Sequence, residues 1–384
     1  MTAAGDIVVI GGGAMGGSVA VHLLEDPAFD GRVTIVERDP TFKRASSALS
    51  AAGTRRQFST PENIRMSAYS FGWMRDRLDV GIHEGGYLYL SSPATAAVLR
   101  ENHAIQRAEG ADVVLLTPED LEKRFPWLST DGIALASLGL SGEGWFDGYA
   151  LVQGLRTRAR ELGAILLTGE VVGLGLDGRC VTSVALADGS SIPCSSVVDA
   201  AGPWAAEIAA MAGVDLPVEA RKRSVFVFDV EHDAPVGSPL VIDTSGVWFR
   251  PEGGSFITGI APKPEEDLPD LPLTPDHPLF EAELWPALAA RVPAFDAIKV
   301  TNAWAGYYEM NTFDHNAIIG RHPDVTNLLF ANGFSGHGIQ QSPAVGRAIS
   351  ELIIHDRFVT LDLAVFAFER IAEGRPVVER NVIG

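Results

Sequence analysis

Residues 6–39, DIVVIGGGAMGGSVAVHLLEDPAFDGRVTIVERD, decide the fold. Ile7–Ile10 is an apolar run with the length of a buried strand. Gly11, Gly13 and Gly16 follow in the spacing G-x-G-x-x-G, and the residues behind them take up helical spacing. RVTIVERD is a second apolar strand ending in Glu37. Strand, glycine turn, helix and strand make a βαβ unit, the start of a doubly wound sheet. Gly11 makes the tight turn, Gly13 lets the backbone approach a pyrophosphate, and Gly16 lets the helix pack on the strand. The helix N-terminus offers N–H groups and a positive dipole end to the phosphates. Glu37 lies 21 residues beyond Gly16, where a carboxylate reaches ribose hydroxyls and disfavours a 2′-phosphate. NADP is thereby disfavoured, but the motif alone does not separate NAD from FAD.

The whole chain sets outer limits. Its 384 residues exceed one ordinary hydrophobic core, so two domains are expected. Thirty basic residues against 49 acidic ones give a net charge of −19, which argues against a nucleic-acid partner and an anionic membrane surface. No apolar run has the length of a membrane span, and MTAAGDIVVI lacks the basic-then-apolar order of a signal peptide. A cytoplasmic protein, not integral to a membrane, is expected. Cys180 and Cys194 flank a hairpin-like stretch with Asp188-Gly189 in its turn, where they could face each other; reduced thiols are the expected state. Cys and His show no metal-ligand spacing, so no metal is expected.

The later chain alternates in texture. Helices are expected from Pro61 to about Leu78, up to Gly110, and from about Gly148 to Leu162. From about Val218 to Tyr308 strand patterns dominate, interrupted by the proline- and acid-rich APKPEEDLPDLPLTPDHP. Strand, glycine turn and helix return in LLFANGFSGHGIQQSPAVGRAISELII. The expected fold is α/β: a discontinuous, Rossmann-type doubly wound domain over 1–80, 145–215 and 325–384. A sheet-rich substrate domain over 81–144 and 216–324 is inserted into it. Ligands in such proteins lie at the carboxyl ends of the parallel strands, between the domains.

Six stretches together resemble one family: VVIGGGAMGGSVAVHLL, SSALSAAGTRRQFS, GWFDGYALVQGL, VVDAAGPWA, RKRSVFVFD and ANGFSGHGIQQSPAVG, in that order. The chain resembles the D-amino acid oxidase superfamily of FAD-dependent oxidoreductases over nearly its whole length. It is most similar to the branch of sarcosine oxidase, dimethylglycine dehydrogenase and D-arginine dehydrogenase-like proteins. The resemblance implies FAD as cofactor. Gly11, Gly13, Ala14, Met15 and Gly16 would hold its pyrophosphate, with Glu37, Arg38 and Val171 toward the adenosine. Arg44, Ala45, Ser46, Ser50, Ala51, Ala52 and Gly53 would pass along it, with Ala200, Ala201, Gly202 and Trp204 as a third contact. Gly306, Gly333, Gly336, His337, Gly338, Ile339 and Gln340 would surround the flavin ring. There the helix N-terminus stabilises negative charge on the ring by about 0.5–2 kcal/mol.

Departures from the branch shape the expectation. Ser50 stands at the position of the histidine that carries FAD in dimethylglycine dehydrogenase-like proteins. Tyr307 or a neighbour stands at the cysteine that carries it in monomeric sarcosine oxidase-like proteins, so non-covalent FAD is expected. Ile257 or Thr258 replaces the lysine that assists reaction with oxygen, which favours a dehydrogenase slightly over an oxidase. Gln340 replaces the lysine that grips the substrate carboxylate.

Flavin-dependent amine oxidation asks the protein for orientation and carboxylate binding rather than for acids and bases. The expected reaction moves a hydride from an amino acid or N-alkyl amine to flavin N5, and the imine hydrolyses. A carboxylate is best met by an arginine fork, with Arg55, Arg56, Arg223 and Arg250 in question. The resemblance favours Arg223 for substrate and places Arg55 near the flavin. Trp248, Tyr308 and Gln340 complete the expected substrate site, with His337 and Arg55 expected at the chemistry. The electron acceptor would be oxygen, a quinone or a protein, and an oligomer is compatible with the sequence. The alternatives are oxidation of a 2-hydroxy acid, with His337 as base, a non-catalytic FAD-binding subunit or assembly factor, and a nicotinamide-dependent dehydrogenase.

Overall fold

The elements that build the site are β1 (Ile7–Ile10), α1 (Ala14–Glu25), β2 (Val33–Glu37), α2 (Gly148–Glu161), β3 (Ser196–Asp199), β4 (Val218–Val230), β5 (Ile298–Asn311), β6 (Leu328–Asn332) and α3 (Gly338–His355). They come from a computed structural model that describes residues 5–380. The outermost residues of the expected first domain, 1–4 and 381–384, lie outside the described residues.

β1 is buried along its whole length, as a central parallel strand covered on both faces must be. It pairs in parallel with β2 on one side and β3 on the other. β3 continues in parallel to β6, and β2 to Ile165–Thr168. Ile318–Arg321 closes the six-stranded sheet as an antiparallel edge on β6. Residues from 318 on therefore belong to this sheet, ahead of the expected boundary at 325, because the β6 hairpin draws its partner strand with it. α1 lies between the sheet, α2 and α3, and every residue from Ala14 to Leu23 is buried. Its apolar, small-residue sequence suits a helix packed on all sides.

The second sheet has eight strands, with β5 and β4 at one edge in a long antiparallel pair. The segment expected to join it from 81–144 supplies Tyr87–Ser91, Val113–Leu116 and Leu135–Gly139. The join is a parallel pairing of Leu240–Ile242 with Tyr87–Ser91. Phe228, Phe249, Phe256 and Phe295 pack under this sheet, with rings 5.1–6.5 Å apart in one stacked and four edge-on pairs.

The expected hairpin forms between Cys180–Leu186 and Ser191–Pro193. Its register sets Cys194 beside Thr182, through Cys194 N–H to the Thr182 carbonyl at 3.0 Å, while Cys180 faces Asp177 on the next strand. The two cysteines do not oppose each other, and both are free thiols. Among the described residues no helix is long and apolar enough to cross a membrane.

Candidate active site

A cavity of about 650 Å³ opens where β1, β2, β3 and β6 end, and continues to β4 and β5 of the second sheet. Its walls are the loops at the carboxyl ends of the parallel strands. At the β2 end stand Glu37, Arg38 and Val171; at the β4 end stand Arg223, Trp248, Tyr308 and Gln340.

The walls fit a dinucleotide. Gly11 has φ +101° and follows β1 directly; a Cβ there would stand 2.8 Å from the carbonyl carbon of Ala200 on the neighbouring loop. The N-cap residues of α1 and α3, Gly13 and His337, give their helices no side-chain cap. Gly13, Ala14 and Met15 line the cavity, as do Gly338, Ile339 and Gln340. Two helix N-termini thus present N–H groups to one cavity, an arrangement suited to anionic groups. Among the described residues only a long contact from Ala14 N–H to Ser47 Oγ, 3.4 Å, touches the first of them. The buried Ser46 hydroxyl has no partner of its own. Glu37 accepts from the backbone N–H of Gly12 and of Asp39, each at 2.8 Å, which fixes its carboxylate at the cavity wall. The residues therefore fit FAD.

Most residues expected at the cofactor line this cavity: Arg44, Ala45, Ser46, Ser50, Ala51, Ala52 and Gly53, then Ala200, Ala201, Gly202, Trp204 and Gly306, then Gly336. Arg38 lies flat on Trp204, with its guanidinium carbon 3.8 Å from the ring centroid. Gly16 packs behind the wall against Val9 and the Gly11 carbonyl, and Gly333 against Asn311 and Val218. Gly336 (φ +92°) lies against Tyr308, where a Cβ would come within 2.5 Å of the ring, so the loop approaches as closely as glycine allows.

His337 departs from its expected place. Its ring is not part of the cavity lining; it packs edge-on against Phe58 at 5.0 Å, and its Nε2 is buried without a partner. Burial, with the Arg55 charge next, holds its pKa well below the usual histidine value. The ring is neutral and sits behind the wall, against the edge of Phe58. The other arginines divide. Arg250 reaches Ala51 O at 2.8 Å and pairs with Glu252, and Arg56 donates to Glu109 O at 3.1 Å; neither lines the cavity. Arg55 does line it, among the rings of Phe58, Tyr87 and Tyr89 at 5.0–6.0 Å. Its backbone N–H holds Gln340 Oε1 at 2.7 Å and so ties this segment to the start of α3. Arg223 lines it too, already engaged by Asp267.

Sequence reasoning passed over three acids. Glu309 lies at the end of β5 and lines the cavity; burial pushes its carboxyl up to about 8, against hydrogen bonds from the Phe334 and Gly333 backbones. Asp199, the last residue of β3, is also pushed up to about 8 by burial, although the Ala201 backbone N–H donates to it at 3.1 Å. The acid in VVDAAG, following a Val-Val pair, was a visible signal; Glu309 in GYYEMN was marked only by strand alternation. Glu143 is pushed up to about 7 by burial, while it accepts from the Arg56 backbone at 2.6 Å and Gln57 at 2.8 Å.

These raised values carry a pH consequence. Glu309 and Asp199 bind protons in the folded chain up to about pH 8 and release them near pH 4 when unfolded. The folded state holds more protons across that window, so stability is greatest below it and falls as pH rises through it. The contribution of these two carboxyls to the melting temperature is expected to fall between about pH 5 and pH 8. Glu309→Gln should flatten the slope in a pH series of melts; an unchanged slope would refute the assignment.

Comparison with known proteins agrees with this geometry. The chain belongs to the FAD-dependent oxidoreductase (DAO) family, which it matches over residues 6–352. It is 43% identical to "FAD-dependent oxidoreductase domain-containing protein 1" of Xenopus laevis, over 98% of this chain and 85% of that protein. It is 28% identical to the mitochondrial dimethylglycine dehydrogenase of Mus musculus, over 91% of this chain and 42% of that one. Among solved structures, L-proline dehydrogenase from P. horikoshii superposes with a TM-score of 0.87 at 28% identity, covering 97% of this chain and 99% of that one. The fold is that of these FAD-binding enzymes, and the protein is an FAD-dependent oxidoreductase.

Proposed function

We propose that this member of the FAD-dependent oxidoreductase family oxidises an amino acid or N-alkyl amino acid at the β4 end of its cavity. One observation carries the reading: two arginines, the buried Arg55 and the half-buried Arg223, line that end together with Tyr87, Tyr308 and Trp248. Arginine forks orient a carboxylate, and the aromatic walls exclude water from the carbon to be oxidised. FAD, when bound, supplies the hydride acceptor. The side chains bind and orient; Glu309, protonated at neutral pH, offers a hydrogen-bond donor to the cavity. The position of His337 behind the wall weighs against the 2-hydroxy-acid alternative, since a hydroxyl needs a base in the cavity.

Three finer readings go with this. FAD is held without a covalent bond: Ser50 Oγ accepts from Ala52 N–H at 3.0 Å, and Tyr307 is the aromatic partner of Trp204. The protein works as a dehydrogenase. No lysine lines the cavity among the described residues, and Ile257 and Thr258 are buried in the second sheet. Residues 5–80, 145–215 and 318–380 hold the cofactor, while 81–144 and 216–317 shape the substrate end. A cytoplasmic location suits the two free cysteines.

The test is a visible spectrum of the purified protein, repeated without oxygen after adding pooled amino acids and N-methyl amino acids. Bleaching of the flavin band by one pool is expected, with faster return of the band on adding a quinone than on adding air. A flavin that no amine reduces would move the weight to a non-catalytic FAD-binding subunit.

A further inference from the structure

The proline- and acid-rich segment 261–276 runs from the end of Ser255–Gly259 along β4 at the cavity's β4 end, and Ala261 lines the cavity. Its acids Glu265, Glu266 and Asp270 are exposed. Asp267 turns inward: its side chain is 13% exposed, and that of its partner Arg223 is 17%. The pairing is two-pronged, Nη1 to Oδ1 at 2.7 Å and Nη2 to Oδ2 at 3.0 Å. Arg223 also lies over Tyr308, 4.6 Å from the ring centroid, and its Nε is buried without a partner. The guanidinium fork of a cavity-lining arginine is thus filled, in the protein itself, by a carboxylate in the geometry such forks prefer.

We infer that Asp267 is a built-in stand-in for the substrate carboxylate, displaced when an amino acid enters. The inference rests on the proposed function and narrows it: the substrate carries a free carboxylate beside its amine. A neutral amine cannot take Arg223 from Asp267, because it would leave a buried charge unpaired. An incoming carboxylate exchanges one pairing for another. The outer part of the segment is fastened to β4, through Asp270 N–H to Ala220 O at 2.9 Å, Lys222 Nζ to Thr274 O at 3.2 Å and Asp276 N–H to Ser224 Oγ at 3.1 Å. The turn at 263–268 is held within itself by Asp267 N–H to Lys263 O at 3.0 Å, and outside itself by the solvent-facing ion pair of Lys263 Nζ with Glu283 at 2.7 Å. That turn, with no backbone bond to β4 among the described residues, is the part that swings out with Asp267. While it stays in, only a fraction of molecules accept a ligand, and apparent affinity is reduced by that fraction.

The experiment uses the FAD-loaded protein and sodium benzoate as probe, read by the shift it causes in the flavin spectrum, with benzamide as the uncharged control. Asp267→Asn is expected to bind benzoate about tenfold more tightly than the parent, with no gain for benzamide. Arg223→Gln should lose the benzoate response. Endoproteinase Lys-C should cut at Lys263 faster in Asp267→Asn, and faster in the parent once benzoate is present. Benzoate bound equally or more weakly by Asp267→Asn, or by neither protein, overturns the inference. Bleaching by amino acids is scored separately in the parent, so loss of the proposed reaction and loss of the stand-in are distinguishable.

Discussion

Gly11→Ala is expected to yield protein that folds less stably and carries almost no FAD. At φ +101° an alanine is strained by about 1–3 kcal/mol wherever it stands. Here its Cβ also overlaps the Ala200 carbonyl, part of the backbone at the end of β3, which cannot move without opening the β1–β3 pairing. The glycine turn would shift away from the uncapped start of α1, and the N–H groups meant for the pyrophosphate would no longer converge. The ratio of flavin to protein absorbance after purification, and an FAD titration followed by calorimetry, measure the loss; a fall of about a hundredfold in affinity corresponds to some 2.7 kcal/mol. Gly254→Ala, at a position with open space around it, is the neutral control. Full flavin occupancy in Gly11→Ala would refute the role given to this turn.

Arg370→Ala is expected to be the costliest side-chain truncation in the chain. Arg370 is 1% exposed and Asp314 is fully buried. Nε donates to Oδ2 at 2.9 Å and Nη2 to Oδ1 at 3.0 Å, while Nη1 reaches Phe366 O at 2.9 Å. Asp314 in turn gathers Asn311 Nδ2 at 2.9 Å, Asn316 N–H at 3.1 Å and Val377 N–H at 2.9 Å. Removing the arginine leaves a carboxylate uncompensated in the interior, a change that costs about 3–5 kcal/mol. Urea unfolding should show that loss, and a loss below about 1 kcal/mol would refute it. Flavin content should fall as well, because the same carboxylate anchors the turn that ends β5 next to Glu309 and Ser335.

What the sequence revealed and what it hid follow one physical division. The first glycine loop, Glu37 and the second glycine loop were legible because each depends on residues close together in the chain, where φ, dipole and spacing are local matters. The remaining cofactor walls were named only through the resemblance to the FAD-dependent family. Pairings across long separations were hidden. Asp267 and Arg223 are 44 residues apart and meet only because the second sheet folds the acid-rich segment back along β4. The direction of His337 was equally unreadable, since Phe58 on a distant segment decides which side of the wall its ring takes. Glu309 lay in plain view within GYYEMN, but only the register of β5 on β4 shows that it faces inward.

The order of the first sheet sets a timetable for the chain's synthesis. β6 lies beside β3, and the loop between β6 and α3 closes a cavity whose other wall is the turn after β1. A ribosome exposes that first turn more than 300 residues before it exposes the second. Until then the nascent chain offers an unpartnered β3 edge and an apolar α1 with no α3 to cover it, the kind of surface that invites aggregation or a chaperone. The two ends of the chain must meet before the cofactor can be gripped, so loading is the last event of folding. A chain without FAD is then expected to be the less stable form, since a ligand bound only by the folded state adds to its stability.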